Sequence, residues 1–333
     1  MLDNTTKLEL SKSYSLLKDR YIKLGINLIQ ALQLFLNEND INFLSINYRI
    51  KDENSFIEKV ERKVYMNPFD QTEDLCGIRI ICYYQSDVSR IISVLEKELD
   101  ILDNQDKEVL LNEDQFGYRS THLIVKIKKN WLNAPNYRGL EDMKAEIQIR
   151  TVLMHAWAEI EHKLAYKKDI HIPKEFKRKL NRISAKLEEA DEQFEDVKIA
   201  IIDYKRQVIE KSKSNTSAYK KIDLNLDSLQ AFLDDKFIDR SKDIELTREL
   251  LDELIENNVT LTDLSDAYEV INPYISEIEI EEFAKVNLHG LKWTQIGVVR
   301  KIMDIANPKY RINRMSNDQE DPFSAKWRNI IYT

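Results

Sequence analysis

Apolar positions early in the chain fall at alternating steps of four and three. Leu10, Tyr14, Leu17, Tyr21, Leu24 and Leu28 therefore share one face of a helix, and residues 1–45 read as helical. The pattern then changes. Between 46 and 168, helical stretches alternate with short β-branched runs at 78–84 (IRIICYY), 122–128 (HLIVKIK) and 144–150 (KAEIQIR), which predicts strands mixed with helices in one sheet domain. Residues 150–166 are helical again, and Pro173 punctuates the chain. Beyond it Phe176, Leu180, Ile183, Leu187, Ala190, Phe194, Val197, Ile201, Tyr204 and Val208 repeat the four-and-three spacing without a break. That is a heptad seam, the signature of a long helix packed in the coiled-coil manner, against a second subunit or against another helix of the same chain. Residues 211–218 (KSKSNTSA) form a polar hinge, and 219–333 show helical patterns such as Leu246, Leu250, Leu251, Leu254 and Ile255 without strand alternation. The expected organisation is an α+β domain of helices 1–45 and a mixed-sheet core 46–170. A coiled-coil-like helix 171–210 and a small all-helical domain 219–333 follow.

Composition narrows the setting. With 333 residues two domains are expected, and a hydrophobic content of 43% supports a real core. The net charge of −8 argues against coating nucleic acid or acidic membrane by bulk attraction, while leaving room for a local basic groove. Cys76 and Cys82 sit in an apolar run without zinc spacing or a disulfide framework, which predicts buried, inert thiols in a reducing cytoplasm. The first residues lack the apolar stretch of a signal peptide, and no run approaches the ~18 apolar residues needed to span a bilayer, so no membrane role is expected.

The chemistry lies in the mixed segment. Six glycines and no GxxxxGK[ST] loop rule out a standard P-loop, so any nucleotide phosphate must be gripped by side chains. Ser55–Lys63 (SFIEKVERK) reads as a helix with Ser55 and Glu58 in capping-box spacing. Ser55, Lys59, Arg62 and Lys63 share one face, with Arg49 and Lys51 just before it, an arrangement suited to polyphosphate. Asp74, at the entry to an apolar strand, suits Mg²⁺, which is usually held by one or two carboxylates plus substrate phosphates. Glu146, Gln148 and Arg150 alternate with Ile147 and Ile149, placing a polar row opposite a buried one. His155, Glu159 and His162 stand at i, i+4 and i+7, a spacing that is more often structural than metal-binding.

Taken in order, R-x-K-x(3)-S-x(3)-K, DLCGIR, GYRSTH, EIQIRT and MHAWAEIEH closely resemble the RelA/SpoT synthetase family, whose compact members are the small alarmone synthetases. The resemblance covers roughly 45–168. It implies a mixed sheet flanked by helices, similar to nucleotidyltransferases, and transfer of pyrophosphate from ATP to a 3′-hydroxyl. It further implies that Arg49 and Arg79 sandwich adenine and that Lys51, Ser55, Lys59 and Arg62 hold the ATP phosphates. Asp74 and Glu146 would bind Mg²⁺, with Glu146 also taking the proton from the attacking hydroxyl. Tyr118 would stack on the acceptor base, while His122 and Gln148 would position the acceptor. Two departures fall on the acceptor side. Acids occupy Asn112–Phe116 where relatives that use GDP or GTP commonly carry a lysine, and His155 stands where compact members often have Asn or Asp. Three functions follow: a synthetase acting on GDP or GTP, a relative acting on the 3′-end of tRNA, or an inactive nucleotide-binding module. No His-Asp pair is present, so no alarmone hydrolase is expected. The seam 176–208 offers a surface through which the chain could form a homo-oligomer.

Overall fold

The computed structural model describes residues 2–106, 120–165, 174–213, 222–285, 290–315 and 321–333. The chain forms two compact units, Met1–Asp196 and Val197–Thr333.

The first unit opens with α1 (Asn4–Glu38), one helix of 35 residues capped by the Asp3 carboxylate on the Thr6 amide. Its buried stripe runs from Leu10 through Tyr21, Leu24 and Leu28 to Leu36, as the spacing predicts. The helix ends sooner than the sequence suggests. A strand, β1 (Phe43–Ile50), follows and leads through Lys51 into α2 (Glu53–Lys63). The cap of α2 is Asp52, whose side chain accepts from the Ser55 amide, so the capping box expected at Ser55 and Glu58 is not the one used. Asp52 reaches the amide three residues on, which is the N3 position of a helix beginning at Glu53. After the short α3 (Pro68–Gln71) come β2 (Cys76–Cys82), α4 (Gln85–Glu98), β3 (Leu99–Asp106), β4 (Thr121–Ile127), β5 (Ala145–Thr151) and α5 (Val152–Ala165).

The five strands form one mixed sheet in the order β1-β2-β5-β4-β3, with β2 and β5 parallel and the other neighbours antiparallel. Its apolar face carries Ile78, Ile80, Ile147, Ile149, Leu123 and Val125, which pack with Leu24, Leu28, Leu32 and Leu36 of α1 and Ile91 and Leu95 of α4 in one core. Both cysteines are buried there, and burial pushes the Cys76 thiol up to about 12, consistent with an inert side chain. The fold class is thus α+β, a mixed sheet flanked by helices.

Gly25 fixes the approach of α1 to the sheet. A Cβ at this position would lie 2.4 Å from Cδ2 of Tyr48 on β1. Helix propensity alone would make Gly25→Ala stabilising by about 1 kcal/mol. The collision should reverse the sign and give a net loss of about 1–3 kcal/mol, as overpacking does. A melting temperature unchanged or raised in Gly25→Ala would refute this account.

The heptad region forms α6 (Lys174–Lys213), a single helix of 40 residues. Within the first unit it docks by a polar stripe. Asp191 accepts from the Thr151 hydroxyl at 2.6 Å, Glu195 accepts from the Ser86 amide at 3.1 Å, and Ser184 is buried. Of the seam, Phe176, Ile183 and Phe194 are about half exposed, Val197 and Ile201 are exposed too, and Val208 is buried in the second unit. Among the described residues, Phe176, Ile183, Phe194, Val197 and Ile201 of the apolar face the sequence expects to be packed are therefore uncovered, while Leu180, Leu187 and Ala190 are half-buried.

The second unit is all-helical: the end of α6, then α7 (Leu226–Lys236), α8 (Ile244–Glu256), α9 (Leu261–Ile271), α10 (Ile275–Ala284), α11 (Gln295–Ala306), α12 (Pro308–Met315) and α13 (Pro322–Tyr332). Leu229, Phe232, Leu250, Leu264, Ile302 and Tyr310 belong to its core. No helix among the described residues is long and apolar enough to cross a membrane.

Candidate active site

The site grows from the pairing of β1, β2 and β5. Register places Arg79 beside Gln148, Asn47 beside Arg79, and Glu146 and Arg49 on either side of Gly77. Since alternate residues share a face, Asn47, Arg49, Arg79, Glu146, Gln148 and Arg150 all lie on the side of the sheet opposite the core. Next along, β4 pairs His122 with Gln148. A cavity of about 280 Å³ opens on this face, and Arg49, Asp74, Arg79, Glu146, Gln148 and Glu159 are among its lining residues.

At one end stands Asp74, just before β2. Lys51 lies 2.9 Å from its Oδ2 and Lys59 of α2 lies 2.8 Å from its Oδ1. Burial pushes the Asp74 carboxyl up, but the hydrogen bonds and charges of Lys59 and Lys51 outweigh it and hold the group below the ordinary carboxylate range. Ser55 and Arg62 share the helix with Lys59 and are exposed; neither lines the cavity.

Glu146 sits mid-sheet. Its Oε1 meets Nδ1 of His122 at 2.7 Å, and its Oε2 accepts from the Gln148 amide at 3.0 Å. His122 is buried, and its Nε2 lies 2.8 Å from the Ser120 hydroxyl. A carboxylate can only accept, so Nδ1 carries the hydrogen that faces Glu146. Burial pushes the Glu146 carboxyl up, yet His122 and then Gln148 more than offset it, and the group is held below its ordinary value. His122 thus stands behind Glu146 and orients it.

At the far end, Glu159 of α5 contacts Nη1 of Arg79 at 2.8 Å and lies 3.9 Å from Nδ1 of His155. Burial, then the charges of Arg79 and Arg150, hold the His155 imidazole below its usual value. The Arg150 guanidinium is likewise lowered, by burial first and then by Arg79. No group of three or more His, Cys, Asp or Glu side chains among the described residues is placed to enclose a metal ion. Asp74 and Glu146 instead give two hard oxygen donors on one cavity, a set that fits a cation completed by substrate phosphates.

The region found in RelA / SpoT proteins matches residues 48–171 of this chain. The GTP pyrophosphokinase YjbM of Bacillus subtilis is 31% identical over 153 residues, which are 45% of this chain and 69% of the relative. The chain belongs to the RelA/SpoT family. The GTP pyrophosphokinase YwaC of the same organism is 35% identical over 131 residues, 38% of this chain but only 60% of that relative's length. Among solved structures, small alarmone synthetase 1 of Bacillus subtilis bound to its product pppGpp is similar at 28% identity. Its TM-score is 0.48, covering 56% of this chain and 97% of that one.

The structure therefore brings Arg49, Asp74, Arg79, Glu146 and Gln148 of the RelA/SpoT motifs onto one cavity, with Lys51 and Lys59 reaching it through Asp74. Tyr118 lies outside the described residues, as do the acids at 112–116. Asn47 lines the cavity without having been singled out in the sequence, whereas Glu159, which the resemblance places with His155 and His162 on a helix lining the site, does line it. For Glu159 the available signal is its place one turn after His155; Asn47 has none, because β1 itself is hard to read.

Proposed function

We propose that the chain transfers pyrophosphate from ATP to the 3′-hydroxyl of GDP or GTP. The observation that carries this reading is the pairing of Lys51 and Lys59 with Asp74 on the cavity that also holds Glu146. In the free protein the two ammonium groups neutralise Asp74. ATP phosphates offer them stronger partners, and the exchange releases the Asp74 carboxylate toward the cavity. Asp74 and Glu146 would then hold Mg²⁺, whose charge would offset that of the phosphates. The 3′-oxygen of the acceptor attacks the β-phosphorus of ATP, the bond from that phosphorus to the α,β-bridging oxygen breaks, and AMP leaves. The hydroxyl proton passes to Glu146, which is ionised and aimed by His122 and Gln148. Such transfer needs alignment and charge neutralisation more than covalent help from the protein. Arg49 and Arg79 offer guanidinium planes for the adenine, and Ser55 and Arg62 extend the cationic face of α2. On the resemblance to the RelA/SpoT motifs, Gln148, Tyr118 and His155 belong to the acceptor side.

Incubating the protein with ATP labelled at the β-phosphate and, separately, GDP, GTP and deacylated tRNA tests the reading. Label should appear on a guanine nucleotide. Label on tRNA alone would replace GDP and GTP by the tRNA 3′-end, and no transfer to any acceptor would leave a nucleotide-binding module. The basic cluster after GYRSTH that could grip an RNA backbone is partly engaged within the chain, since Lys126 pairs with Asp142 at 3.0 Å and Lys128 donates to the Lys97 carbonyl.

The uncovered seam of α6 supports self-association. Lys179, Arg182 and Lys186 precede Leu187, whereas Glu189, Glu192 and Asp196 follow it, all six exposed. Two copies crossing antiparallel near Leu187 would bury Phe176, Ile183 and Phe194 and bring opposite charges together. Leu187→Glu should then sediment as a smaller species than the wild type. A wild type already sedimenting at the mass of one chain would eliminate this interface.

A further inference from the structure

Asn47 and Glu159 line the cavity, and the transfer chemistry uses neither. Both flank Arg79. Asn47 is its partner across the β1–β2 ladder, and Oε1 of Glu159 meets its Nη1 at 2.8 Å. The Oδ1 of Asn47 and the Oε2 of Glu159 have no hydrogen-bond partner among the described residues. Stability does not account for the carboxylate, because the side chains of Arg79 and Glu159 are 33% and 49% exposed, and ion pairs so open to water contribute little. A guanidinium stacks by its faces and keeps its N–H groups in plane at the rim. Adenine lying on Arg79 therefore leaves the contact with Glu159 in place, and Oε2 stays available to the edge of the base.

Stacking alone cannot choose a purine, since adenine and guanine both present a π-face. The transfer nevertheless uses the two in different roles, one as donor and one as acceptor, so the donor end needs a group that reads a base edge. At position 6 adenine carries an amino group, which donates, and guanine carries a carbonyl, which accepts. The Asn47 amide can turn to suit either. A carboxylate only accepts, so Glu159 cannot. We propose that Glu159 is the donor-specificity residue: its carboxylate takes a hydrogen from the 6-amino group of adenine while holding Arg79, and it rejects a 6-oxo purine by facing one acceptor with another. The proposal rests on the pyrophosphate-transfer reading above, with Arg49 and Arg79 as the planes that sandwich adenine.

Displacement of a labelled, non-hydrolysable ATP analogue from the full chain tests this without requiring turnover. Three competitors are compared: ATP, inosine triphosphate (a 6-oxo purine) and purine riboside triphosphate, which carries only hydrogen at position 6. Wild type should prefer ATP to inosine triphosphate by about tenfold or more, with the purine riboside between them, because a missing hydrogen bond costs less than two opposed acceptors. In Glu159→Gln the amide can turn its NH₂ to the 6-oxo group. The preference for ATP should then shrink about tenfold, while purine riboside triphosphate binds as before. Misfolding or a loosened Arg79 would instead weaken all three competitors alike. Such a uniform loss, or an unchanged ratio, would overturn the assignment and leave the transfer reading standing. A wild type that binds no ATP analogue would remove the donor reading and the part of Glu159 in it together.

Discussion

Glu146→Gln should lower the rate of pyrophosphate transfer by about 10²–10⁴-fold, the range that a positioned general base contributes. The substitution keeps size and removes charge, so the sheet should stay intact. Its effect goes beyond the missing base. Gln148 now donates to Oε2 of Glu146 and His122 faces Oε1. An amide at 146 would offer one oxygen and one NH₂, so one of these donors would meet another donor, and the side chain would turn from the orientation His122 sets. The sign of the pH dependence follows from the same contacts. The carboxyl is held below its ordinary value, so the ionised form is the one the fold favours. Its contribution to stability is complete above the unfolded-state value and fades only as pH falls through the lower folded-state one. Asp74 is held low as well, by its lysines, and behaves alike. Neither carboxylate should therefore produce an acid limb near neutrality in wild-type transfer. Single-turnover rates with labelled ATP, beside melting curves, decide the matter: transfer in Glu146→Gln within tenfold of wild type would remove Glu146 as the base.

Much of this site was legible in the sequence because the relevant signal is local. The alternation of Glu146, Gln148 and Arg150 with isoleucines fixes which face each occupies, and β5 shows that alternation in its burial. The helical stripe of α1 and the length of α6 follow from spacing for the same reason. What stayed hidden depends on partners distant in the chain. β1 (FLSINYRI) lies at the sheet edge and exposes Leu44, and β3 (LDILDNQD) carries acids and an asparagine that seldom mark a strand. The link of His122 to Glu146 requires the β4–β5 register, and the crowding of Arg79 and Arg150 requires that of β2 and β5. The heptad of α6 announced a helix with an apolar face but not which face would dock. In the first unit Asp191 and Glu195 turn inward because Thr151 and the Ser86 amide offer them hydrogen bonds, and the apolar seam is left outside.

Glu279→Ala should destabilise the second unit by about 3–5 kcal/mol, the cost of stranding one partner of a buried ion pair. Glu279 is buried in α10 and receives Arg240 on both oxygens, Nη1 on Oε1 at 2.5 Å and Nη2 on Oε2 at 3.1 Å. Its Oε1 also accepts from the Trp293 amide at 2.8 Å, while Arg240 Nη1 donates to the Trp293 carbonyl at 3.0 Å. The pair therefore ties the segment after α7 to α10 and to the approach to α11, three stretches with no strand ladder to hold them. Truncation leaves a guanidinium with 8% of its side-chain surface exposed and without its carboxylate, and leaves a backbone N–H unmatched. For a unit of this size the loss corresponds to a fall of about 10–20 °C in melting temperature. Replacing both partners, Arg240→Met with Glu279→Leu, should recover part of the loss, because no buried charge is then stranded, though the Trp293 amide still lacks its acceptor. Denaturant unfolding of the wild type, the single variant and the double variant separates the two contributions. A single variant that melts within about 3 °C of wild type would mean that water reaches Arg240 and that the pair is not what holds these helices together.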